Sequence, residues 1–269
     1  LERAAKVSGA RFFYLKGEGA LLELALVRYA MDVAERHGHL PVIPPVLVRE
    51  QAMYGTGFFP TDQQQIFATR DDDLYLVGTA EVSLAGMHLD EILDELPVRY
   101  AGFSTCFRRE AGSYGKDTRG MFRVHQFDKV ELFCFVPPEA SSDEHQRILT
   151  MEEEIMRALG LHYRVVDIAV GDLGASAARK FDIEAWLPGQ QTYRELTSCS
   201  NTTDYQARRL RVRYRADGAT ELVHTLNGTA LAVPRTIIAL VETHQRRDGS
   251  VAVPAALQPY LGREVLFAR

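Results

Sequence analysis

At 269 residues, 46% hydrophobic and 25% charged, the chain has the composition of an ordinary globular protein able to bury a large core. A net charge of −5 argues against a surface that coats nucleic acid and leaves room for a local basic patch. Cys106, Cys134 and Cys199 are odd in number and form no CxxC pair, which argues against a zinc knuckle or disulfide framework and fits a reducing cytosol.

The chain opens on LERAAKVSGA, with neither the apolar core of a signal peptide nor a methionine, and reads as a fragment or processed product. No apolar run approaches the length of a membrane span. Arg11-Phe12-Phe13-Tyr14-Leu15 predicts a short strand ending at Gly17. From Glu18 to His37, apolar residues at Leu21, Leu22, Ala25, Leu26, Tyr29, Ala30 and Val33 have helical spacing, and Gly38 supplies the stop. Leu40 to Val48 is extended; its Pro44-Pro45 pair cannot sit inside a central ladder, so it reads as an edge, a subunit contact or a plain loop. Residues 51–73 are polar, include Gln63-Gln64-Gln65, and read as a surface loop. Leu74 to Gly78 predicts a strand running onto Thr79-Ala80-Glu81, where Glu81 either starts a helix or receives an ammonium group. Residues 80–95 follow a helical pattern that Pro97 breaks.

The rest of the chain is organised around residues 103–135, which predict two antiparallel strands joined by a loop from Ala111 to Phe122. That loop is far longer than a hairpin needs. Strand alternation puts Arg108 and Glu110 on one face of the first strand, and Arg123, His125, Phe127, Lys129 and Glu131 on one face of the second. A face with several charges and one ring is a poor core and a good floor for a flat anionic ligand. The loop carries Gly112, Gly115 and Gly120 beside Lys116 and Arg119, a composition suited to meeting a phosphate backbone.

Pro137 and Pro138 end the second strand. Ser141, Ser142 or Asp143 caps a helix whose buried stripe is Ile148, Met151, Ile155 and Leu159, with Gly160 as its stop. Tyr163 to Val170 predicts a strand, and the Gly/Ala-rich residues 171–180 a short helix. Phe181 to Leu187 alternates as a strand with Asp182, Glu184 and Trp186 on one face, either half-exposed or a cleft wall. Tyr193 to Ser198 is another strand, with Glu195 near its end. Arg209, Arg211, Arg213 and Arg215 alternate with Leu210, Val212 and Tyr214, which predicts a strand with a solvated basic face rather than a nucleic-acid patch. Leu222 to Leu226 is a strand, Asn227-Gly228-Thr229 a turn, Ala230 to Glu242 a helix with Pro234 in its first turn, and Val251 to Pro259 an extended tail. Strands with few crossover helices predict an α+β fold, a mostly antiparallel β-sheet flanked by helices, in a single domain over residues 1–269.

Several stretches, in order, resemble one family. Phe107-Arg108-Arg109-Glu110, a loop, then Arg123-x-x-x-Phe127 and Glu131 resembles motif 2 of the class II aminoacyl-tRNA synthetases. The helix ending at Gly38 followed by Pro44-Pro45 resembles their motif 1, which lies at the dimer interface. The strand and helix around Asn227 to Arg235 resemble motif 3, with Arg235 as its arginine. Within that class the wording is close to the bacterial seryl enzymes: Thr79-Ala80-Glu81, VHQFDKVE from Val124 to Glu131, SCSN from Ser198 to Asn201, and HTLNG from His224 to Gly228. The resemblance covers essentially the whole chain as a catalytic core. Ala230 and Pro234 stand where many relatives carry glycine. The family's tRNA-gripping helical arm would precede residue 1, so weak tRNA recognition is expected of this stretch alone.

The resemblance implies an ATP-dependent, AMP-forming serine–tRNA ligase: serine and ATP give seryl-adenylate, and serine then passes to the 3′ end of tRNA(Ser). It implies catalytic roles for Arg108, Arg235 and Glu195. It implies an ATP site of Arg108, Arg109, Glu110, Val124, His125, Gln126, Phe127, Glu195, Leu196, Thr197, Ser198 and Arg235. Phe127 would stack adenine and Arg235 close the sandwich. Glu195 and Ser198 resemble the Mg²⁺-binding pair. Thr79, Ala80, Glu81, Arg108, Glu131, Asn227 and Thr229 correspond to the serine site, with Glu131 and Thr229 the candidates for the hydroxyl and Thr79 and Glu81 for the ammonium end. The family further implies a cytoplasmic homodimer with no membrane association. The alternative is an arm-less relative that activates a small amino acid and loads a carrier protein or other acceptor. Some such relatives hold the amino acid on zinc through cysteines, and Thr79, Glu131 and Thr229 stand here without one. A non-catalytic paralogue should have lost one of Arg108, Glu131, Glu195 or Arg235, and all four are present.

Overall fold

The computed structural model describes residues 1–112, 115, 117, 120–216 and 218–268. Helix α1 (Glu2–Ser8) is followed by irregular backbone where a strand over 11–15 was predicted. Phe12 packs on His125, with ring centroids 5.3 Å apart, and the Arg11 carbonyl accepts the His125 backbone N–H at 3.0 Å. The segment therefore covers the start of another strand without joining a ladder. Helix α2 (Glu18–Arg36) buries Leu22, Ala25, Leu26, Tyr29, Ala30 and Val33, leaves Leu21 exposed, and is followed by Gly38 at φ 82°. The proline-broken stretch yields two short strands, β1 (Leu40–Val42) and β2 (Leu47–Arg49).

Residues 51–73 are not a loop throughout. Glu50–Thr56 forms helix α3, and Gln63–Gln65 is a single 3-10 turn. Met53 is fully buried among Val48, Phe59, Ile66, Val77 and Val82, and a Cβ at Gly55 would lie 2.1 Å from Leu210 Cδ2. These are long-range contacts that the polar local pattern conceals. Strand β3 (Leu74–Leu76) pairs with β2 and leads to α4 (Glu81–Gly86), much shorter than the helix predicted over 80–95. Asp90, at φ 62°, donates its N–H to the Leu210 carbonyl, and the chain becomes strand β4 (Ile92–Leu93) instead.

The central pair is β5 (Val98–Phe107) and β6 (Gln126–Val136), antiparallel with Phe107 opposite Gln126. Arg108, Glu110 and Arg123 thus lie just beyond the ladder rather than within it. Helix α5 (Ser141–Ala158) buries Ile148, Met151 and Ile155; Ser141 Oγ donates to the Pro138 carbonyl (3.0 Å) rather than capping the helix. Strands β7 (Tyr163–Asp167), β8 (Arg179–Leu187) and β9 (Thr192–Thr203) form a meander, and residues 171–180 hold the end of a 3-10 turn, Val170–Asp172, in place of a helix.

The arginine-alternating run splits. Helix α6 (Tyr205–Leu210) buries Ala207 and Leu210 at i, i+3 spacing, and Arg211 at φ 56° turns the chain into β10 (Arg213–Ala216) and β11 (Ala219–Leu222). Strand β12 (His224–Ala232) runs through Asn227-Gly228-Thr229, where a turn was predicted. Asn227 faces Phe133 on one side and Ser200 on the other. Gly228 serves close packing, since a Cβ there would lie 2.3 Å from Ile148 Cγ2. Helix α7 (Val233–His244) carries Pro234 in its first turn, and the tail holds β13 (Val251–Ala252), α8 (Gln258–Leu261) and β14 (Val265–Leu266).

The main sheet has the order β1-β5-β6-β12-β9-β8-β7, antiparallel except for the β1–β5 pair. Leu26, Ile148, Ile155 and Leu240 of α2, α5 and α7 pack with Val130, Leu132, Cys134 and Ile183 in the main core. Each fully buried Leu or Ile there contributes about 1.5–3 kcal/mol relative to exposure. Phe133 and Phe135 point to the opposite face, under Ala80, Leu84, Ala207 and Leu210 of the α4 and α6 region. Toward the β5–β6 loop, the same face opens into a cleft.

Candidate active site

On that face the period-2 spacing of β6 continues from Phe133 to Glu131, Lys129 and Phe127, which floor the cleft. The cleft encloses about 820 Å³ including its mouth, within the range of small-molecule sites. Thr79 and Glu81 enter from the β3–α4 junction, Arg108 and Glu110 from just past β5, and Glu195 to Ser198 from β9. Asn227 and Thr229 enter from β12, and Arg235 from the first turn of α7. Pairing between β12 and β9 ends at Gly228–Cys199, while both strands continue. The fork between them is one side of the cleft.

One end of the cleft is cationic. Arg108 Nε donates to the Gly78 carbonyl (3.1 Å), which holds the guanidinium 5.1 Å from the centre of the Phe127 ring. Glu110, at φ 51°, receives Arg123 Nη1 at 2.7 Å. Phe122 is buried with the guanidinium of Arg194 3.9 Å and that of Arg235 4.8 Å from its ring centre. Arg235 Nη1 donates to the Glu195 backbone carbonyl (2.9 Å) and lies 3.5 Å from its carboxylate. Burial pulls the Arg235 pKa down, Glu195 opposes this, and Arg108 and Arg123 add repulsion. Guanidinium groups that repel one another across a cleft create a site for an anion, and their planar forks suit phosphate oxygens.

The other end is buried and polar. Thr79 Oγ1 accepts from Lys129 Nζ (2.8 Å) and from the Glu81 backbone N–H (3.2 Å). Lys129 also ion-pairs with Glu131, which is 2% exposed and sits opposite Thr229 across the β6–β12 ladder. Burial raises the Glu131 pKa, and Lys129 opposes the rise. Glu81 Oε1 accepts from Gln206 Nε2 (2.7 Å) and Asn227 Nδ2 (3.0 Å). Burial, and then the charge of Glu131, pushes the Glu81 carboxyl up to about 7. Two carboxyls thus share one neighbouring ammonium, that of Lys129. Such a pocket is electrostatically suited to a second ammonium and to a small hydrogen-bonding side chain.

Of the residues singled out in the sequence, Thr79, Glu81, Arg108, Glu110, Val124, Phe127, Glu131, Glu195, Leu196, Thr197, Ser198, Asn227, Thr229 and Arg235 line the cleft together. Others point elsewhere. The Arg109 side chain is exposed, and Ala80 is buried in the second cluster. The His125 ring packs against Phe12 and Phe67, with Nδ1 2.9 Å from the Arg108 carbonyl. Gln126 is exposed beside a separate groove. Arg235 lines the cleft with Phe127 and itself rests on the Phe122 ring. Asp182, Glu184 and Trp186 are partly buried and lie outside the cleft. Lys116 and Arg119 fall outside the described residues.

Sequence reading gave no site role to Arg123, Lys129, Phe122 or Gln206. Arg123 and Lys129 were nonetheless visible by alternation on the face of Phe127 and Glu131. Phe122, at the end of the long loop, and Gln206, in a stretch assigned no element, gave no local signal. For a cation, the Glu195 carboxylate, 41% exposed, and the Ser198 hydroxyl offer an oxygen-only donor set open to water, which fits Mg²⁺. His39, Cys134 and Glu144 also converge within 4.8 Å, but Arg99 holds Glu144 through two 2.6 Å hydrogen bonds, and burial keeps the Cys134 thiol protonated. That cluster is structural.

Residues 65–244 match the family described as tRNA synthetase class II core domain (G, H, P, S and T). The chain is 60% identical over 268 residues to the serine–tRNA ligase of Acidothermus cellulolyticus, covering 99% of this chain and 64% of that relative. It is 59% identical over 269 residues to the serine–tRNA ligase of Nocardia farcinica, again spanning 64% of its length. Among solved structures, seryl-tRNA synthetase from Pyrococcus horikoshii complexed with ATP superposes with a TM-score of 0.95 at 51% identity, covering 98% of this chain and 60% of that one. Prolyl-tRNA synthetase of Giardia lamblia, at 14% identity and a TM-score of 0.83, shares the fold. The motif order, the antiparallel sheet carrying the cleft and the family match over residues 65–244 together establish that this chain belongs to the class II aminoacyl-tRNA synthetases.

Proposed function

We propose that this chain, acting as one catalytic domain of a cytoplasmic homodimeric enzyme, activates L-serine with ATP, and that the whole protein transfers serine to the 3′ end of tRNA(Ser). One observation carries the reading. A buried pocket of Thr79, Glu81, Lys129, Glu131, Asn227 and Thr229 adjoins a cleft end lined by Arg108, Arg123 and Arg235. The first end suits a small zwitterion with a hydroxyl, the second a nucleotide's phosphates. The relatives named serine–tRNA ligase support the same substrate.

In the first step a serine carboxylate oxygen attacks the α-phosphorus of ATP. A new O–P bond forms, the bond to the bridging oxygen breaks, and pyrophosphate leaves. The carboxylate is already ionised near neutrality, so no general base is needed and catalysis is positioning and charge neutralisation. Arg108, fixed by Gly78, meets the α-phosphate; Phe127 offers adenine a stacking face, and Arg235 closes the nucleotide side. Glu195 and Ser198 would hold Mg²⁺, which when bound neutralises charge on the phosphates. Glu81 receives the ammonium group, and Glu131 with Thr229 receives the hydroxyl. Alanine would leave those buried groups unpaired, a loss on the order of 10⁴-fold in sites built this way.

Support for dimerisation comes from the sheet edge. Leu40, Ile43 and Leu47 on and beside the edge strand β1 are 62%, 84% and 42% exposed, an apolar row that a second copy would cover. No helix among the described residues is long and apolar enough to cross a membrane.

The test is ATP–pyrophosphate exchange measured separately with each proteinogenic amino acid. Exchange dependent on serine is the expected result. Exchange with glycine or alanine and not serine would overturn the assignment and favour a carrier-loading activity.

A further inference from the structure

Glu152 lies on α5, behind the sheet, and takes no part in the cleft lining. Its side chain is fully buried, yet it carries a carboxyl group. The position is specific. Pairing of β12 with β9 stops at Gly228–Cys199, and the two strands part to admit the site. Gly228 lets α5 approach this point, since a Cβ there would lie 2.3 Å from Ile148 Cγ2 and 2.8 Å from Glu152 Oε1. The Glu152 carboxyl therefore sits at the apex of the fork. Its Oε2 accepts the Thr197 hydroxyl at 3.1 Å from the β9 arm. On the β12 arm, Oε1 packs against the bare backbone of Gly228 and has no hydrogen-bond partner among the described residues. Burial pushes this carboxyl well above the usual carboxylate range.

We infer that Glu152 is a positioning residue, hydrogen-bonded to β9 through Thr197 and wedged against β12 at Gly228 where the two strands diverge, and so fixing the separation of the two walls of the cleft. The inference rests on the serine-activation reading. In that reading the β9 wall, Glu195 to Ser198, holds the nucleotide side. The β12 wall, with Asn227 and Thr229, holds the amino acid. Each substrate keeps its own contacts when this wedge is lost, but the carboxylate and the α-phosphorus no longer meet in line. Loss of alignment lowers turnover while leaving each affinity near its original value.

The test measures serine-dependent ATP–pyrophosphate exchange for the wild type, Glu152→Leu and Glu152→Gln, with rates divided by the number of nucleotide-binding sites counted by ATP titration. Normalising by site removes the effect of a misfolded fraction. Glu152→Leu is expected to lose at least 10-fold in kcat, with KM for serine and for ATP each within about 3-fold of wild type. Glu152→Gln, uncharged and still offering an acceptor oxygen to Thr197, is expected to keep at least a third of wild-type kcat. Near-normal kcat in Glu152→Leu overturns the inference, as does a raised KM at unchanged kcat or a Gln variant as slow as the Leu one. If Glu152→Leu does not fold, Thr197→Val decides by removing the same hydrogen bond at almost constant volume. The same kcat-only loss upholds the inference, and normal kcat refutes it. A wild type that shows no exchange with serine condemns the functional reading instead, so the two failures are distinct.

Discussion

If Glu81 receives the serine ammonium as proposed, serine binding depends on pH in a direction set by the raised Glu81 pKa. Burial and the neighbouring Glu131 push its pKa up to about 7, while the amides of Gln206 and Asn227 hold its position. If it receives the substrate ammonium, only the ionised form is useful. One unit below that pKa about a tenth of the sites are ionised, and one unit above about nine-tenths, so KM for serine should fall roughly 10-fold between about pH 6 and pH 8. The assay is exchange at saturating ATP across that range, with Glu81→Gln beside the wild type. The variant should bind serine weakly and lose the pH slope. The same shift has a stability consequence of opposite sign. A carboxyl with a raised folded-state pKa gives its full contribution below its unfolded value and loses it as pH rises through about 7. Without ligand, the melting temperature of Glu81→Gln relative to wild type should therefore climb from about pH 5 to pH 8, by an amount equivalent to at most about 3 kcal/mol. A serine KM that stays flat or rises with pH would refute the assignment of Glu81 to the ammonium.

Arg108→Ala should reduce exchange at least 10²-fold, the equivalent of about 3 kcal/mol or more for a lost charge-stabilising donor; near-normal exchange would rule out its phosphate role. Glu131→Ala should raise KM for serine far more than KM for ATP, and equal losses would mean that the pocket is misplaced. It should also destabilise the protein by about 3–5 kcal/mol, because Lys129 would be left buried without its carboxylate. Ile43→Lys, at the exposed sheet edge, should shift sedimentation from dimer toward monomer; a wild type that sediments as a monomer would remove the case for that interface.

Much of this arrangement could be read from local pattern because it depends on local pattern. The 3.6-residue stripe of α2 and the alternation of Phe127, Lys129 and Glu131 are properties of single elements, and the structure keeps both. The misreadings share a different cause. Asn227-Gly228 has the wording of a turn, yet Gly228 sits in a central strand because α5 packs against its bare backbone. Residues 50–56 are polar enough for a loop, yet they are helical because Met53 packs into a cluster with Val77 and Val82 and Gly55 meets Leu210. Arg209 to Arg215 alternates like a strand, yet its first part is a helix because Ala207 and Leu210 share a buried face. Within the cleft the pattern is similar. Residues carried on strands were visible from alternation, whereas Phe122 in the cleft and Gln206 behind Glu81 are placed by tertiary packing that leaves no periodic trace.

The central claim is that a buried acidic pocket senses a hydroxymethyl side chain beside a nucleotide held by arginines. Calorimetry with two stable adenylate mimics, the seryl and the alanyl forms of aminoacyl-sulfamoyl adenosine, tests it most directly. The account predicts that the seryl compound binds at least about 100-fold more tightly than the alanyl one and that ATP displaces it. Equal affinity for the two, or binding that ATP does not displace, would contradict it.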